Sequence, residues 1–197
     1  TTMDEYGADA LRWYLLTNAA PWDNLRFDME GLQEVRRKFF GTLHNTYAFF
    51  ALYANVDSFR YEEAEIPLKE RPEMDQWILS ELHSLIAKVE DGMEAFEPTR
   101  AFRPIQEFTT EKLSNWYVRL GRRRFWKGAY ESDKISAYQT LWTCLETLSR
   151  LMAPLAPFYA DQLYTDLYAG VAKSGETSVH LTNFPTVDAP TINAPLE

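Results

Sequence analysis

Apolar side chains recur at intervals of three and four residues along most of the chain, which is the spacing of one face of an α-helix. The longest stripe has seven positions: Leu32, Val35, Phe39, Leu43, Tyr47, Phe50 and Ala54. Asp28 precedes this stripe and is its predicted N-cap. Alternation of apolar and polar residues, the pattern of strands, occurs only in the short segment 178–185. The pattern therefore predicts an all-α fold, a bundle with at least four long helices.

The same spacing predicts five further helices, at 3–16, 73–96, 98–122, 132–152 and 158–168. Gly121 is the predicted end of the third of these, which would place the following arginines at or just past a helix terminus. Pro104 should bend this helix or delay its regular start, because proline cannot donate a backbone hydrogen bond. Ser132 is the predicted N-cap of the next helix. Prolines within 153–157 separate the last two helices.

Basic residues are concentrated in one window of an acidic protein. The whole chain has a net charge of −9, but residues 98–128 contain eight Lys and Arg and only two Glu. A basic surface on an acidic protein is typical of a site for a polyanion. Within this window, LSNWYVRLGRRRFW (113–126) places two aromatic residues beside a run of arginines. Aromatic rings and guanidinium groups stack on unpaired bases and neutralise phosphates, so this segment indicates an RNA-binding surface.

Part of this segment also has a purely structural interpretation. Trp116 lies at helical spacing, which favours packing in the core over contact with RNA. Cations at a helix C-terminus complement its unpaired carbonyl groups, so the arginine run can serve the helix itself. Three adjacent like charges nevertheless repel one another, which favours a nearby anionic partner. Asn115 and Arg119 are one helical turn apart, so both can reach one ligand.

The residue patterns of catalytic and metal-binding sites do not occur in this sequence. Its three histidines, His44, His83 and His180, are far apart, and it has no Gly-rich phosphate loop or nucleophile elbow. Cys144 is the single cysteine and, between apolar neighbours, is predicted to be a buried free thiol. We therefore predict no catalytic residue, metal site or cofactor in this segment. A free thiol suits a cytoplasmic protein, and no apolar run is long enough to indicate a membrane partner.

Several segments resemble class I aminoacyl-tRNA synthetases of the larger, editing architecture. DEYGADALRWYLL (4–16) is similar to the helix that follows their KMSKS loop, and residues 39–54 and 74–90 resemble the first helices of their anticodon-binding domain. LSRLMAPLAPFYADQLYTDL (148–167) and SVHLTNFP (178–185) resemble that domain's last helices and closing segment. The arginine-rich segment resembles the isoleucyl-tRNA synthetases, particularly their eukaryote-like branch.

This resemblance implies a helical bundle of the class I aminoacyl-tRNA synthetase anticodon-binding type, cut from an isoleucine–tRNA ligase. Residues 1–20 would be the end of the connector that follows the KMSKS loop, 21–185 the anticodon-binding bundle, and 186–197 a tail with a candidate cloning scar. Trp13 and Leu16 would then be more exposed than Trp142 or Leu145. The parent enzyme would use ATP and Mg²⁺, and the expected partners are tRNA-Ile and the missing catalytic and editing domains.

The residues and the resemblance together give one set of predicted nucleic-acid-binding residues: Asn45, Asn115, Trp116, Arg119, Arg122, Arg123 and Arg124. Asn45 resembles an anticodon-reading asparagine of the related methionine enzyme, and an amide can pair with a base edge. A solvated or locally bonded asparagine is an equally good interpretation. Two alternatives stay open for the function: the same domain of a valine or leucine enzyme, or a helical protein–protein scaffold whose basic stripe meets an acidic partner.

Overall fold

A computed structural model describes residues 2–196, most of which are helical. In chain order the α-helices are α1 (Thr2–Tyr6), α2 (Ala8–Asn18), α3 (Met29–Glu34), α4 (Gly41–Val56), α5 (Glu73–Glu94), α6 (Pro98–Glu107), α7 (Arg119–Trp126), α8 (Ser132–Met152) and α9 (Pro157–Ala169). Short 3₁₀ turns lie at Leu68–Glu70, Val179–Leu181 and Ala189–Thr191. No strand occurs within the described residues, which confirms the predicted all-α fold. The strand-like alternation at 178–185 instead contains one of the 3₁₀ turns.

Two π-helical segments join neighbouring helices into two long, continuous ones. Val35–Phe40 links α3 to α4, and we call the result, residues 29–56, the first long helix. Phe108–Val118 links α6 to α7, and we call residues 98–126 the second long helix. The first long helix begins as predicted, because the Asp28 carboxylate accepts hydrogen bonds from the backbone N–H of Glu30 (3.1 Å) and Gly31 (3.3 Å). Its predicted apolar stripe is buried apart from Tyr47, which is half-buried.

Three predicted helix ends are wrong. Gly7 adopts a positive φ of 85° and divides the expected helix at 3–16 into α1 and α2. Gly121 does not end its helix; it lies buried inside α7, and the chain leaves helical geometry only at Lys127, where φ is −111° and ψ is 153°. Ser132 is the first residue of α8 rather than its cap, and no side chain caps that helix. Pro104 lies within α6, and π-helical geometry begins four residues after it.

The first helices pack into the same core as the rest of the bundle. Trp13 has no exposed surface, and its indole ring stacks on Phe39 with ring centroids 4.4 Å apart. Its ring nitrogen donates a hydrogen bond of 3.2 Å to the side-chain oxygen of Gln106. The expectation that Trp13 would be more exposed than Trp142 is therefore wrong, because α2 covers both long helices. Whether residues 1–20 are the end of a connector in a longer protein stays a prediction.

Helix α8 lies at the centre of the bundle, with sixteen of its residues buried. Helices α4, α5, α7 and α9 all pack against it. Helices α5 and α6 approach each other closely at Gly92, where a Cβ atom would lie only 2.7 Å from the backbone nitrogen of Ala101. No helix within residues 2–196 has the length and apolar character needed to cross a membrane. The second long helix lies at the surface of the bundle, with one side buried and the other side facing solvent.

Candidate nucleic-acid interface

The second long helix exposes three of the predicted RNA-binding residues as one line. Asn115, Arg119 and Arg122 follow one another at steps of four and three residues, and all three are exposed. We call these three residues the basic stripe. The buried side of the same helix carries Tyr117 and Phe125. The expected common face of Asn115 and Arg119 is therefore present in the structure.

Helix α4 lies beside the basic stripe and brings Asn45 near it. The guanidinium of Arg122 lies over the ring of Phe49 at 5.7 Å from its centroid, and Phe49 also contacts Phe125 edge to face at 5.1 Å. Nearer the start of both long helices, Val35 lies in one groove with residues 110–111. Early residues of one long helix thus lie near early residues of the other, and late residues near late ones, so the two helices run in the same direction. Asn45, one turn before Phe49 and exposed, lies at about the level of Arg119.

Some polar side chains of this surface already have a hydrogen-bond partner within the protein, and others have none. The side-chain amide of Asn115 donates a hydrogen bond of 3.1 Å to the carboxylate of Glu111. Arg119 and Arg123 are exposed, and within the described part of the chain neither side chain makes a hydrogen bond or an ion pair. Unpaired guanidinium groups at the surface are available to phosphates without first breaking an internal contact. To bind a ligand, Asn115 must either keep its hydrogen bond to Glu111 and use its remaining amide groups, or break that hydrogen bond.

Arg124 differs from its neighbours and was wrongly grouped with them. Its side chain is only 16% exposed and forms a two-pronged ion pair with Asp75, at 2.6 and 2.8 Å. It also donates to the carboxylate of Asp133 at 3.0 Å. Burial alone lowers the pKa of Arg124, but the hydrogen bonds to Asp75 and Asp133 and the nearby negative charge together outweigh it, so the pKa lies above its ordinary value. Arg124 turns inward because Asp75, which has no exposed surface, needs a cation.

Asp75 is the centre of a buried polar cluster that fixes the second long helix. Besides Arg124, its carboxylate accepts hydrogen bonds from the hydroxyl groups of Tyr117 (2.7 Å) and Ser136 (2.5 Å). Burial raises the pKa of Tyr117 well above its usual range, which keeps the hydroxyl a neutral donor. The cluster therefore connects the first residues of α5 and of α8 to the second π-helical segment, Phe108–Val118, and to α7. Sequence reasoning missed Asp75, because an acidic residue in the first turn of a helix is common without any such partner.

Trp116 is exposed, contrary to the interpretation that favoured packing in the core. Its side chain is 59% exposed, and its nearest aromatic neighbour is Trp77 of α5, with ring centroids 6.4 Å apart. Both rings line a groove of about 620 Å³ between α5 and the second long helix. Trp116 is one position beyond Asn115, roughly a quarter of a turn around the π-helical segment. It therefore faces the α5 side, whereas the basic stripe faces the α4 side.

The single cysteine of the chain lies away from this surface. Cys144 is fully buried in α8, as predicted, and burial raises the pKa of its thiol. Among the residues that the structure describes, no group of three or more His, Cys, Asp or Glu side chains is arranged to hold a metal ion. The groups that the second long helix exposes are an indole ring, an amide and guanidinium groups, which can stack, form hydrogen bonds and neutralise charge.

The sequence of residues 75–196 matches the family described as the anticodon-binding domain of tRNA ligase. Isoleucine–tRNA ligases are similar over the whole chain: those of Bacteroides thetaiotaomicron and Porphyromonas gingivalis are 58% and 59% identical to it, and that of Dehalococcoides mccartyi is 49% identical. The chain spans only 17% of the first two relatives and 19% of the third. All three are bacterial proteins, and none supports a place in the eukaryote-like branch.

A solved structure with a similar fold is a ternary complex of LeuRS, tRNA and LeuAMS from Agrobacterium radiobacter K84. The similarity has a TM-score of 0.66 and covers 98% of this chain and 21% of the other, at 22% sequence identity. At that identity the likeness concerns the fold. The arrangement of helices described above is therefore one that also occurs in a synthetase.

Proposed function

The chain belongs to the anticodon-binding domain family of tRNA ligases, and on that premise we propose that it binds the anticodon arm of tRNA-Ile for an isoleucine–tRNA ligase. The bound tRNA would be aminoacylated by a catalytic domain outside these residues, which would use ATP and Mg²⁺ in the cytoplasm. The whole enzyme's activity enters only as part of this proposal, because the chain spans less than a fifth of its relatives.

The observation that carries the proposal is the exposed, unpaired basic surface on an acidic protein. Arg119, Arg122 and Arg123 are exposed near one end of the second long helix, and Asn45 is exposed on α4, one turn before Phe49, which Arg122 contacts. Guanidinium groups bind phosphates through paired N–H donors, and the two asparagine amides offer both donor and acceptor to a base edge. We keep Asn45, Asn115, Arg119, Arg122 and Arg123 as the residues of this interface. Arg124 we assign to the internal ion pair instead.

The domain alone should bind RNA in a strongly salt-dependent way. Phosphate contacts release counterions, so the logarithm of the binding constant falls with the logarithm of the salt concentration in proportion to the number of phosphates neutralised. The net charge of −9 opposes approach of the RNA and keeps affinity low. Most affinity of the full-length enzyme would come from several domains that hold one tRNA at once, since linked weak contacts multiply.

The test is a charge reversal at the proposed surface. Arg122→Glu with Arg123→Glu should weaken binding to tRNA-Ile at least tenfold and flatten the salt dependence, because about two phosphate contacts are lost. The control is Arg26→Glu with Lys69→Glu, which changes the net charge equally at two exposed positions outside this surface. A gel-shift or anisotropy titration at several salt concentrations gives both quantities.

Two outcomes would contradict the proposal. If both double variants weaken binding equally, only the net charge matters and the surface is not specific. If this chain binds duplex DNA as well as tRNA, or binds neither, the alternative of a protein–protein scaffold with a basic stripe becomes the better explanation. Competition between tRNA-Ile and the valine and leucine tRNAs tests the choice of substrate in the same assay.

A further inference from the structure

The exposed apolar groove that Trp77 and Trp116 line lies next to the basic stripe. Met74 and Trp77 of α5 form one wall, and Trp116 and Leu120 of the second long helix form the other. Leu120 is 57% exposed, which leaves an unusually apolar surface open to solvent. The groove has a volume of about 620 Å³, within the range of sites that bind small ligands. An open groove lined by two indole rings is suited to a flat, aromatic ligand.

We propose that this groove, which we call the tryptophan groove, binds one unpaired nucleotide of the RNA, with a base that carries an exocyclic amino group. The inference rests on the proposed RNA-binding function and assigns a task to Trp77, Met74 and Leu120, which that function does not use. The basic stripe and the tryptophan groove lie on adjacent sides of one helix. A strand whose phosphates follow the stripe therefore needs to turn only one base around the helix to reach Trp116.

Carboxylates at the rim of the groove select among bases. Glu73 is exposed and, within residues 2–196, its carboxylate makes no hydrogen bond or ion pair. One oxygen of the Glu111 carboxylate accepts the hydrogen bond from the Asn115 amide, which leaves the other oxygen available. Glu81 is already paired with Lys112. A carboxylate accepts hydrogen bonds from the amino groups of cytosine, adenine or guanine, whereas uracil has no amino group and presents instead a carbonyl oxygen with a partial negative charge. The rim therefore favours an amino-bearing base over uracil.

The charge distribution also separates a nucleotide from a basic peptide. Acidic residues at the rim would suit a peptide with lysine or arginine, but Arg123 lies one turn beyond Leu120 on the same side of the helix, exposed and unpaired in the described structure. Lys127 follows it one further turn away. A basic peptide would meet repulsion from these two cations. A nucleotide presents a neutral, amino-bearing base to the carboxylates and an anionic phosphate to Arg123, so both ends of the groove are satisfied.

The first experiment measures coupling between Trp116 and one base. The probe is a synthetic hairpin with the anticodon arm of tRNA-Ile, together with a set of hairpins in which each loop base in turn is made abasic. Trp116→Ala should weaken binding of the intact hairpin about tenfold, through lost stacking. For the hairpin that lacks the bound base, the same substitution should cause no further loss. Trp22→Ala, at a tryptophan that is 69% exposed elsewhere, is the matched control and should leave binding unchanged.

The second experiment concerns the identity of that base. Replacing it with uracil should weaken binding several-fold, and Glu73→Gln with Glu111→Gln should remove this preference, because neutral amides no longer repel the carbonyl oxygens. If Trp116→Ala shows no coupling to any loop base while the reversal of Arg122 and Arg123 still abolishes binding, the tryptophan groove is not a base site although the proposed function stands. If the hairpin does not bind at all, the proposed function itself fails.

A peptide occupant would give a different result in a fluorescence measurement. Trp22→Phe with Trp126→Phe leaves Trp116 and Trp77 as the accessible tryptophans, since Trp13 and Trp142 are buried. The hairpin should protect their emission from iodide quenching. If the hairpin binds this chain but leaves the quenching of both tryptophans unchanged, the groove does not hold a base and the proposal is overturned.

Discussion

Arg122, Arg123 and Arg124 are adjacent in the sequence, but the helix turns each by about 100° and gives each a different environment. Arg122 lies over Phe49, Arg123 faces solvent, and Arg124 is held by the buried Asp75. The sequence indicated a surplus of basic charge correctly. It could not indicate which arginine turns inward, because Asp75 is 49 positions away and only the packing of α5 on α7 brings the pair together.

Removing Arg124 should destabilise the protein strongly. Arg124→Ala leaves the carboxylate of Asp75 buried without its cation, so we expect the free energy of unfolding to fall by about 3–5 kcal/mol. Arg123→Ala, the matched control one residue away, removes only an exposed side chain and should change it by no more than about 0.5 kcal/mol. Urea titration followed by circular dichroism measures both. Similar values for the two variants would show that Asp75 does not depend on Arg124.

The thiol of Cys144 should be chemically inert in the folded protein. It has no exposed surface, and burial raises its pKa, so the reactive thiolate is scarce at neutral pH. We expect iodoacetamide at pH 8 to leave the folded chain unmodified and to label it fully in denaturing urea, with mass spectrometry as the readout. Rapid labelling without denaturant would mean that α8 opens locally. The flanking Trp142 and Leu145 made this burial predictable from the sequence alone.

At the scale of helices, periodicity located the elements well and their ends less well. The seven-position stripe before residue 55 and the Asp28 cap are local signals, and both are present in the structure. Gly121 was interpreted as a stop because glycine commonly ends helices through a positive φ. Here it remains helical and is buried against α5, near Met74. The sequence alone cannot separate these two uses of glycine, since one is local and the other depends on a partner helix.

Helices α5 and α6 should separate if a side chain is added at their closest approach. Gly92→Ala would place a Cβ 2.7 Å from the backbone nitrogen of Ala101, and a backbone atom cannot move aside without shifting its helix. We expect a loss of about 1–3 kcal/mol of stability. Gly41→Ala is the control, because beyond its own turn of helix the added Cβ would meet only a carbonyl oxygen, at an ordinary contact distance of 3.5 Å. Alanine there should stabilise the helix by about 0.5–1 kcal/mol. A melting temperature that moves the same way in both variants would contradict this.

For the molecule as a whole, the resemblance to synthetases predicted the class of domain. Which residues fold together with the bundle depends instead on how the first helices pack against it. A connector was expected at residues 1–20, with Trp13 partly uncovered. Trp13 instead contacts Phe39 of the first long helix, and the hydroxyl of Thr99 in α6 donates to carbonyl oxygens of residues 16 and 19. A stripe of apolar residues indicates that a helix has one buried side, but not which neighbour covers it. The stability of the bundle therefore depends on residues that the sequence alone assigned to another part of the protein.

Deletion of the first nineteen residues should abolish cooperative folding of the remaining chain. The loss uncovers Phe39, Phe40 and Phe102, which all contact the Trp13 ring, and truncating a single buried aromatic residue to alanine already costs about 3–5 kcal/mol. Deletion of residues 1–6 is the matched control. Helix α1 contains no buried residue, so this shorter deletion should leave a sharp unfolding transition. Thermal unfolding followed by near-ultraviolet circular dichroism distinguishes the two, because loss of fixed aromatic packing removes that signal even where helices persist. A chain that begins at residue 20 and still unfolds in one sharp transition would show that the bundle at 21–185 folds without α2.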